Sequence, residues 1–134
     1  MDAASACRSG LIAEPVPRAT YRLQLRAEFD LLAAASVSGY LAELGVSHVY
    51  TSPYLGAAAG SAHGYDISDP HVVNPELGGE AALVHFRQTI SELDLAELVD
   101  VVPNHLSIAE RENRWWWDVL ANGPKSAYAD YFDI

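Results

Sequence analysis

Cysteine occurs once, as Cys7, so no disulfide can form within the chain and its cysteine usage implies no oxidising compartment. Basic residues are scarce. Eight Lys and Arg stand against 18 Asp and Glu, a formal charge of -10. Nucleic acid and anionic membrane both need a basic footprint, so neither is expected as a partner. No apolar run approaches the length of a membrane span. The N-terminal stretch lacks a charged segment followed by an apolar one, so no signal peptide is expected and the cytoplasm is the expected location. Phosphate-binding signatures are missing as well. Gly56, Gly60 and Gly64 build no GxGxxG, and no GK[ST] follows them. No Ser/His/Asp nucleophile arrangement stands out.

What is present is a globular composition. Half of the 134 residues are hydrophobic and ten per cent are aromatic. That length suits one ordinary domain. An acidic, aromatic-containing chain suits a neutral polar ligand.

The pattern along the chain alternates. Residues 1–17 hold few apolar anchors, finish in Pro15 and Pro17, and are expected to form a flexible arm. In Ala19 to Leu25, Tyr21, Leu23 and Leu25 alternate with Arg22 and Gln24, a strand pattern. Phe29 to Leu44 predicts a helix carried by Phe29, Leu32, Val37, Tyr40, Leu41 and Leu44, with Asp30 as N-cap and Gly45 after its end. VSHVYTSP reads as a short buried strand closed by Pro53, and Tyr54 to Pro75 as a long loop. A second helix is expected from Gly79 to Leu93, with Leu83, Phe86 and Ile90 on one face. Leu98 to Val102 is expected as a third strand, and Asn113 to Asn122 as a capped helix ending at Gly123. Alternation of this kind implies parallel strands with right-handed crossovers, either a doubly wound sheet or a (β/α)8 barrel. Three strands cannot close a barrel, so the expected class is α/β, the N-terminal part of a larger catalytic domain.

Ligand sites in such folds lie at the C-terminal ends of the strands. Three clusters fall there. One is the loop containing His63, Tyr65 and Asp66, where a ring can lie on a pyranose face and a carboxylate can accept from its hydroxyls. Another is Asp100, Asn104 and His105. An acid inside an apolar strand needs a partner. This cluster fits either sugar contacts or mere support of the loop. The last is the run Trp115, Trp116 and Trp117, which faces several directions on a helix. His63, Asp66, Asp69 and His71 also invite a metal, but their spacing matches no standard site and no metal is expected.

The segments ATYRLQL, LGVSHVYTSPYL, GSAHGYDISDPHVVNPELGG, LVDVVPNH and NRWWWDVLANGPKSAYADYFDI resemble the maltooligosyltrehalose synthase family, the trehalose-forming branch of the α-amylase superfamily of (β/α)8 barrels (glycoside hydrolase family 13). The resemblance covers residue 18 to the end and implies that residues 18–134 are the N-terminal part, about three βα units, of a (β/α)8 catalytic barrel. DVVPNH alone indicates only the superfamily; RLQL, HGYD with NPELGG, and WWWDVL carry the narrower likeness. It implies an intramolecular transglucosylation, an isomerase reaction on maltooligosaccharides in trehalose biosynthesis. The α-1,4 bond to the reducing-end glucose is exchanged for an α,α-1,1 bond.

By the same resemblance His105 contacts the sugar, Asp100 supports the site and Asn104 the loop. Tyr65 stacks on that sugar beside His63 and Asp66, and Trp115, Trp116 and Trp117 border it. The resemblance implies no cofactor and no calcium, and none of the acids here as nucleophile or acid/base; those lie further along such proteins, so this chain alone is expected to be inactive. Tyr54, the run Gly56 to Ala59, and Glu97 at a strand start depart from the family pattern. An α-glucan hydrolase or α-glucosidase of the same superfamily, and a sugar-binding module without catalysis, are the alternatives.

Overall fold

The computed structural model describes residues 16–109 and 111–133. The arm expected over residues 1–17, apart from its last two residues, and Cys7 lie outside the described residues.

Three short strands pair in parallel in the order β1-β2-β5, where β1 is Thr20–Leu23, β2 is His48–Thr51 and β5 is Ala96–Val99. The ladder aligns Arg22 with Tyr50 and Leu98 in one row, and Leu23 with Thr51 and Val99 in the next. Side chains alternate between faces. Leu23, Val49 and Val99 therefore join the core under the helices, and the Arg22 row takes the opposite face. Among the described strands, β1 and β5 each have one unpaired edge.

Helix α1 (Leu31–Glu43) begins at Asp30, whose side chain accepts the Ala33 N–H at 2.8 Å. Gly45 follows its end with φ of 85°, as the capping pattern requires. Its buried face differs from expectation. Leu31, Ala34, Ala35, Ser38 and Leu41 are buried, while Leu32, Tyr40 and Leu44 are 51%, 64% and 55% exposed. The expected stripe counted large residues. The packed one uses alanines, which let α1 lie close to the sheet and to α2 (Gly79–Glu92). In α2 the face is as expected: Leu83, Phe86 and Ile90 are buried.

Tyr54 to Pro75 is not all loop. β3 (Leu55–Ala57) and β4 (Ile67–Val73) pair antiparallel with shifts in register. Alternation is broken by Pro70 and three glycines, so the pattern hides the hairpin. Gly56 pairs with Asp69 so closely that a Cβ there would sit 2.9 Å from the Asp69 carbonyl oxygen. Gly56 is thus what lets β3 approach β4.

The third parallel strand also starts earlier than Leu98. Buried Leu95 anchors it, and Glu97 is tolerated in it because Arg87 of α2 meets its carboxylate at 2.9 Å. The chain leaves the sheet at Asp100, whose N–H donates to the Thr51 carbonyl at 3.0 Å, and Val101 is 64% exposed. Asp100 therefore lies just past the strand, not within it. Helix α3 (Arg114–Asn122) is capped by Asn113, which accepts from the Trp116 N–H at 3.1 Å and donates to the Ser107 carbonyl at 2.7 Å. No described helix is long and apolar enough to cross a membrane.

Candidate functional site

The C-terminal ends of the parallel strands bring three polar side chains into mutual contact. Arg22 comes from β1, Asp100 from the turn after β5, and Tyr65 from the connection between β3 and β4. The Arg22 guanidinium meets Asp100 Oδ2 at 3.1 Å and donates to the Tyr65 hydroxyl at 2.8 Å. That hydroxyl donates to the same Asp100 oxygen at 2.5 Å. Arg22 also lies over the Tyr50 ring, with Cζ 4.6 Å from its centroid. The triangle closes three chain segments far apart in sequence around one carboxylate.

Histidines hold Tyr65 from both sides. His105 Nε2 lies 3.1 Å from the Tyr65 carbonyl oxygen. A carbonyl can only accept, so that nitrogen carries the proton. His63 Nδ1 accepts the Tyr65 N–H at 3.0 Å, and the two rings stack at 5.9 Å. Behind them Ser61 donates to Asp66 and accepts the Gly64 N–H at 3.0 Å. Tyr65 as a residue remains 36% exposed.

The electrostatics follow from the geometry. The Tyr65 hydroxyl, the largest influence, holds the Asp100 carboxyl below its usual range; burial opposes it, and weaker contributions from Arg22 and Tyr50 lower it further. Asp100 in turn raises the Tyr65 phenol above its usual value. A carboxyl depressed in the folded state stabilises fully above its unfolded pKa, and the gain is lost as pH falls through the lowered folded value. The window therefore opens just below the ordinary carboxylate range. Tyr65→Phe removes the largest cause. The Asp100 midpoint, followed by carboxyl-carbon NMR, should move up toward that range; an unmoved midpoint would show that the Tyr65–Asp100 bond is not formed in solution.

The other expected residues divide. Asn104, His105 and Trp115 line one hollow with Pro70 and Tyr131. Trp116 instead packs on Phe132 at 5.3 Å, and Trp117 lies under Arg111, whose Cζ is 4.0 Å from its ring. Neither of these two lines the hollow. All three indoles are half-buried, so none is fully in the core. The candidate metal set splits into two pairs, His63–Asp66 and Asp69–His71, and no group of three or more such residues is placed to hold an ion among the described residues. Arg22 was not expected as a site residue. Its only signal is a charge in the middle of a strand whose alternate residues are apolar.

Comparison with known proteins sets this geometry in a family. Residues 31–134 match the family model described as alpha amylase, catalytic domain. A solved maltooligosyltrehalose synthase from Arthrobacter ramosus is similar over 88% of this chain and 16% of its own, with a TM-score of 0.85 and 48% identity. A Mycobacterium tuberculosis protein, provisionally named a maltooligosyl trehalose synthase, is 46% identical over 121 residues, covering 86% of this chain and 16% of its own. An intracellular maltogenic amylase from Bacillus subtilis is 33% identical over 108 residues, 78% of this chain and 17% of its own. The chain thus spans about one sixth of the length of the relatives it matches.

Proposed function

Because the chain belongs to the α-amylase catalytic-domain family, we propose that it is the part of a trehalose-forming transglucosylase that builds one wall of the glucosyl-binding site. The observation that carries this reading is the Arg22–Tyr65–Asp100 triangle around a partly exposed Tyr65, flanked by His63 and His105. Greater similarity to maltooligosyltrehalose synthases than to a maltogenic amylase supports the trehalose-forming branch.

Tyr65 stacks on the apolar face of the glucosyl unit that is transferred, and His105, through Nδ1, accepts from one of its hydroxyls. Asp100 and Arg22 fix the ring that does the stacking. Asp66 and His63 set the loop, Asn104 shapes the strand exit, and Trp115 borders the sugar. In the reaction, C1 of the penultimate glucose is transferred to a carboxylate. The terminal glucose leaves through O4, which takes up a proton. That glucose then turns and attacks C1 through its own anomeric oxygen, which loses a proton. Atoms balance without water, so transfer requires that water be kept out. The carboxylate nucleophile and the acid/base belong to the rest of the longer polypeptide, and no acid in this chain takes those roles. The reaction is redox-neutral and suits a cytoplasmic enzyme of carbohydrate metabolism.

The decisive assay incubates the full-length protein with maltopentaose. Loss of reducing ends without free glucose is expected. New reducing ends would instead make it a hydrolase of the same family.

A further inference from the structure

The connection that carries Tyr65 has little apolar surface to hold it in place. None of residues 57–63 is buried, so hydrogen bonds must set where it lies. Most of them stay within the β3–β4 connection. The Ala58 N–H donates to the Asp66 carbonyl and the Ser61 N–H to the Ala58 carbonyl, both at 3.0 Å. The Ser61 hydroxyl donates to Asp66 and accepts the Gly64 N–H. These bonds fix the shape of the loop, and Gly64 packs its end on Pro53. They do not tie its tip to the rest of the fold.

Two side chains from outside do. Gln24, just past β1, donates to the His63 carbonyl at 3.3 Å. Glu76 makes the shorter contact: its Oε2 and Oε1 accept the Gly60 N–H at 3.0 Å and 3.1 Å. A charged acceptor makes the stronger bond. Glu76 also stands on a rigid base. It lies in the single 3-10 turn Pro75–Leu77, whose Leu77 is buried in the core. Buried Asn74 accepts the Glu76 N–H at 2.9 Å, and Pro75 fixes its own φ at the start of the turn. The side chain itself is at the surface, so its contact with Gly60 is not demanded by packing.

We propose that Glu76 is a positioning residue of the Tyr65 site. Its carboxylate anchors the tip at Gly60, Ser61 passes that anchor on to Asp66 and Gly64, and Tyr65 follows Gly64 in the chain. The inference rests on the reading of Tyr65 as a glucosyl-binding residue, and its test separates the two.

Calorimetry with maltotriose and deuterium exchange read by mass spectrometry are run on full-length Glu76→Ala, Glu76→Asp, Glu76→Gln and Tyr65→Ala. Gln keeps an acceptor oxygen at the same reach, Asp is one methylene too short for Gly60, and Ala has no acceptor. Glu76→Ala and Glu76→Asp should each weaken maltotriose by about three- to tenfold. Both should speed exchange over residues 57–65 and leave that of α2 unchanged. Glu76→Gln should recover most of the affinity and of the protection. If Glu76→Ala binds like the parent while Tyr65→Ala is weakened, the inference is overturned and the Tyr65 site stands. It is likewise overturned if Gln rescues nothing, which would make the effect one of charge, or if α2 exchanges faster together with the loop, which would make Glu76 a support of the core. If Tyr65→Ala leaves maltotriose unchanged, the glucosyl reading itself falls and this inference with it.

Discussion

Phe86→Ala should leave the chain largely unfolded in mild urea, and close to its unfolding midpoint without any. Phe86 has no exposed surface and sits where α2 meets α1 and the sheet, in one cluster with Leu25, Leu31, Leu41 and Val49. Truncating a fully buried Phe costs about 3–5 kcal/mol, part of it lost transfer energy and part the cavity that neighbours do not fill. Ordinary domains hold about 5–15 kcal/mol in total. A parallel sheet of three strands with two unpaired edges buries less than a closed barrel, so the loss takes most of what is available. Val84→Ala is the matched control. Val84 lies on the same helix at 57% exposure, and its change should stay within about 0.5 kcal/mol. The comparison is made on urea midpoints by far-ultraviolet dichroism. Equal midpoints for the two variants would mean that α2 is not docked on the sheet.

That core was legible wherever large residues recur at one period. Leu83, Phe86 and Ile90 mark the buried face of α2 because each carries enough surface to dominate its stripe. The same logic failed in α1. Ala34, Ala35 and Ser38 form much of its contact face beside Leu31 and Leu41, and an alanine carries too little apolar surface to mark a stripe, so Leu32 and Tyr40 drew it to the wrong side. Local caps were readable: Asp30 and Asn113 both accept the expected backbone N–H. The hairpin of β3 and β4 was not, since its pairing depends on a glycine opposite Asp69 and on a register shift that no period records. The βα alternation was enough to give an α/β fold with parallel strands but left a doubly wound sheet and a (β/α)8 barrel open; the family resemblance chose the barrel, and the match to the α-amylase catalytic domain supports that choice.

Several residues that the structure gathers around Tyr65 were legible in the sequence, but their arrangement was not. His63, Tyr65, Asp100 and His105 do meet, and the misplaced acid in LVDVVPNH does have its partner. The partner is Arg22, which lies 78 positions away and which alternation treats as one more polar residue. A strand pattern reports which face a side chain takes, while the identity of its neighbour across the sheet depends on register. Trp116 and Trp117 illustrate the converse. A run of three indoles suggests a sugar surface, but helical rotation sends two of them to Phe132 and Arg111.

Gly64→Ala should empty the site while leaving the core standing. Gly64 has φ of 74°, and a Cβ on it would lie 2.5 Å from the Pro53 carbonyl oxygen. The left-handed conformation alone costs about 1–2 kcal/mol for a residue with a side chain. The contact adds to that, because its other side is backbone and cannot rotate away. Relief requires the loop to lift from Pro53. Tyr65 is the next residue, so lifting pulls its hydroxyl from Arg22 and Asp100 and its amide from His63. Gly60→Ala separates the two effects. Gly60 has φ of 72°, and a methyl added there would meet nothing within 4 Å, so it carries the conformational cost without the clash. On the proposed glucosyl reading, Gly64→Ala should weaken maltotriose binding by about tenfold or more, the equivalent of ~1.4 kcal/mol, with the dichroism of the helices unchanged. Gly60→Ala should leave binding near that of the parent. Equal affinities for the two variants would show that close packing of Gly64 against Pro53 does not set the position of Tyr65.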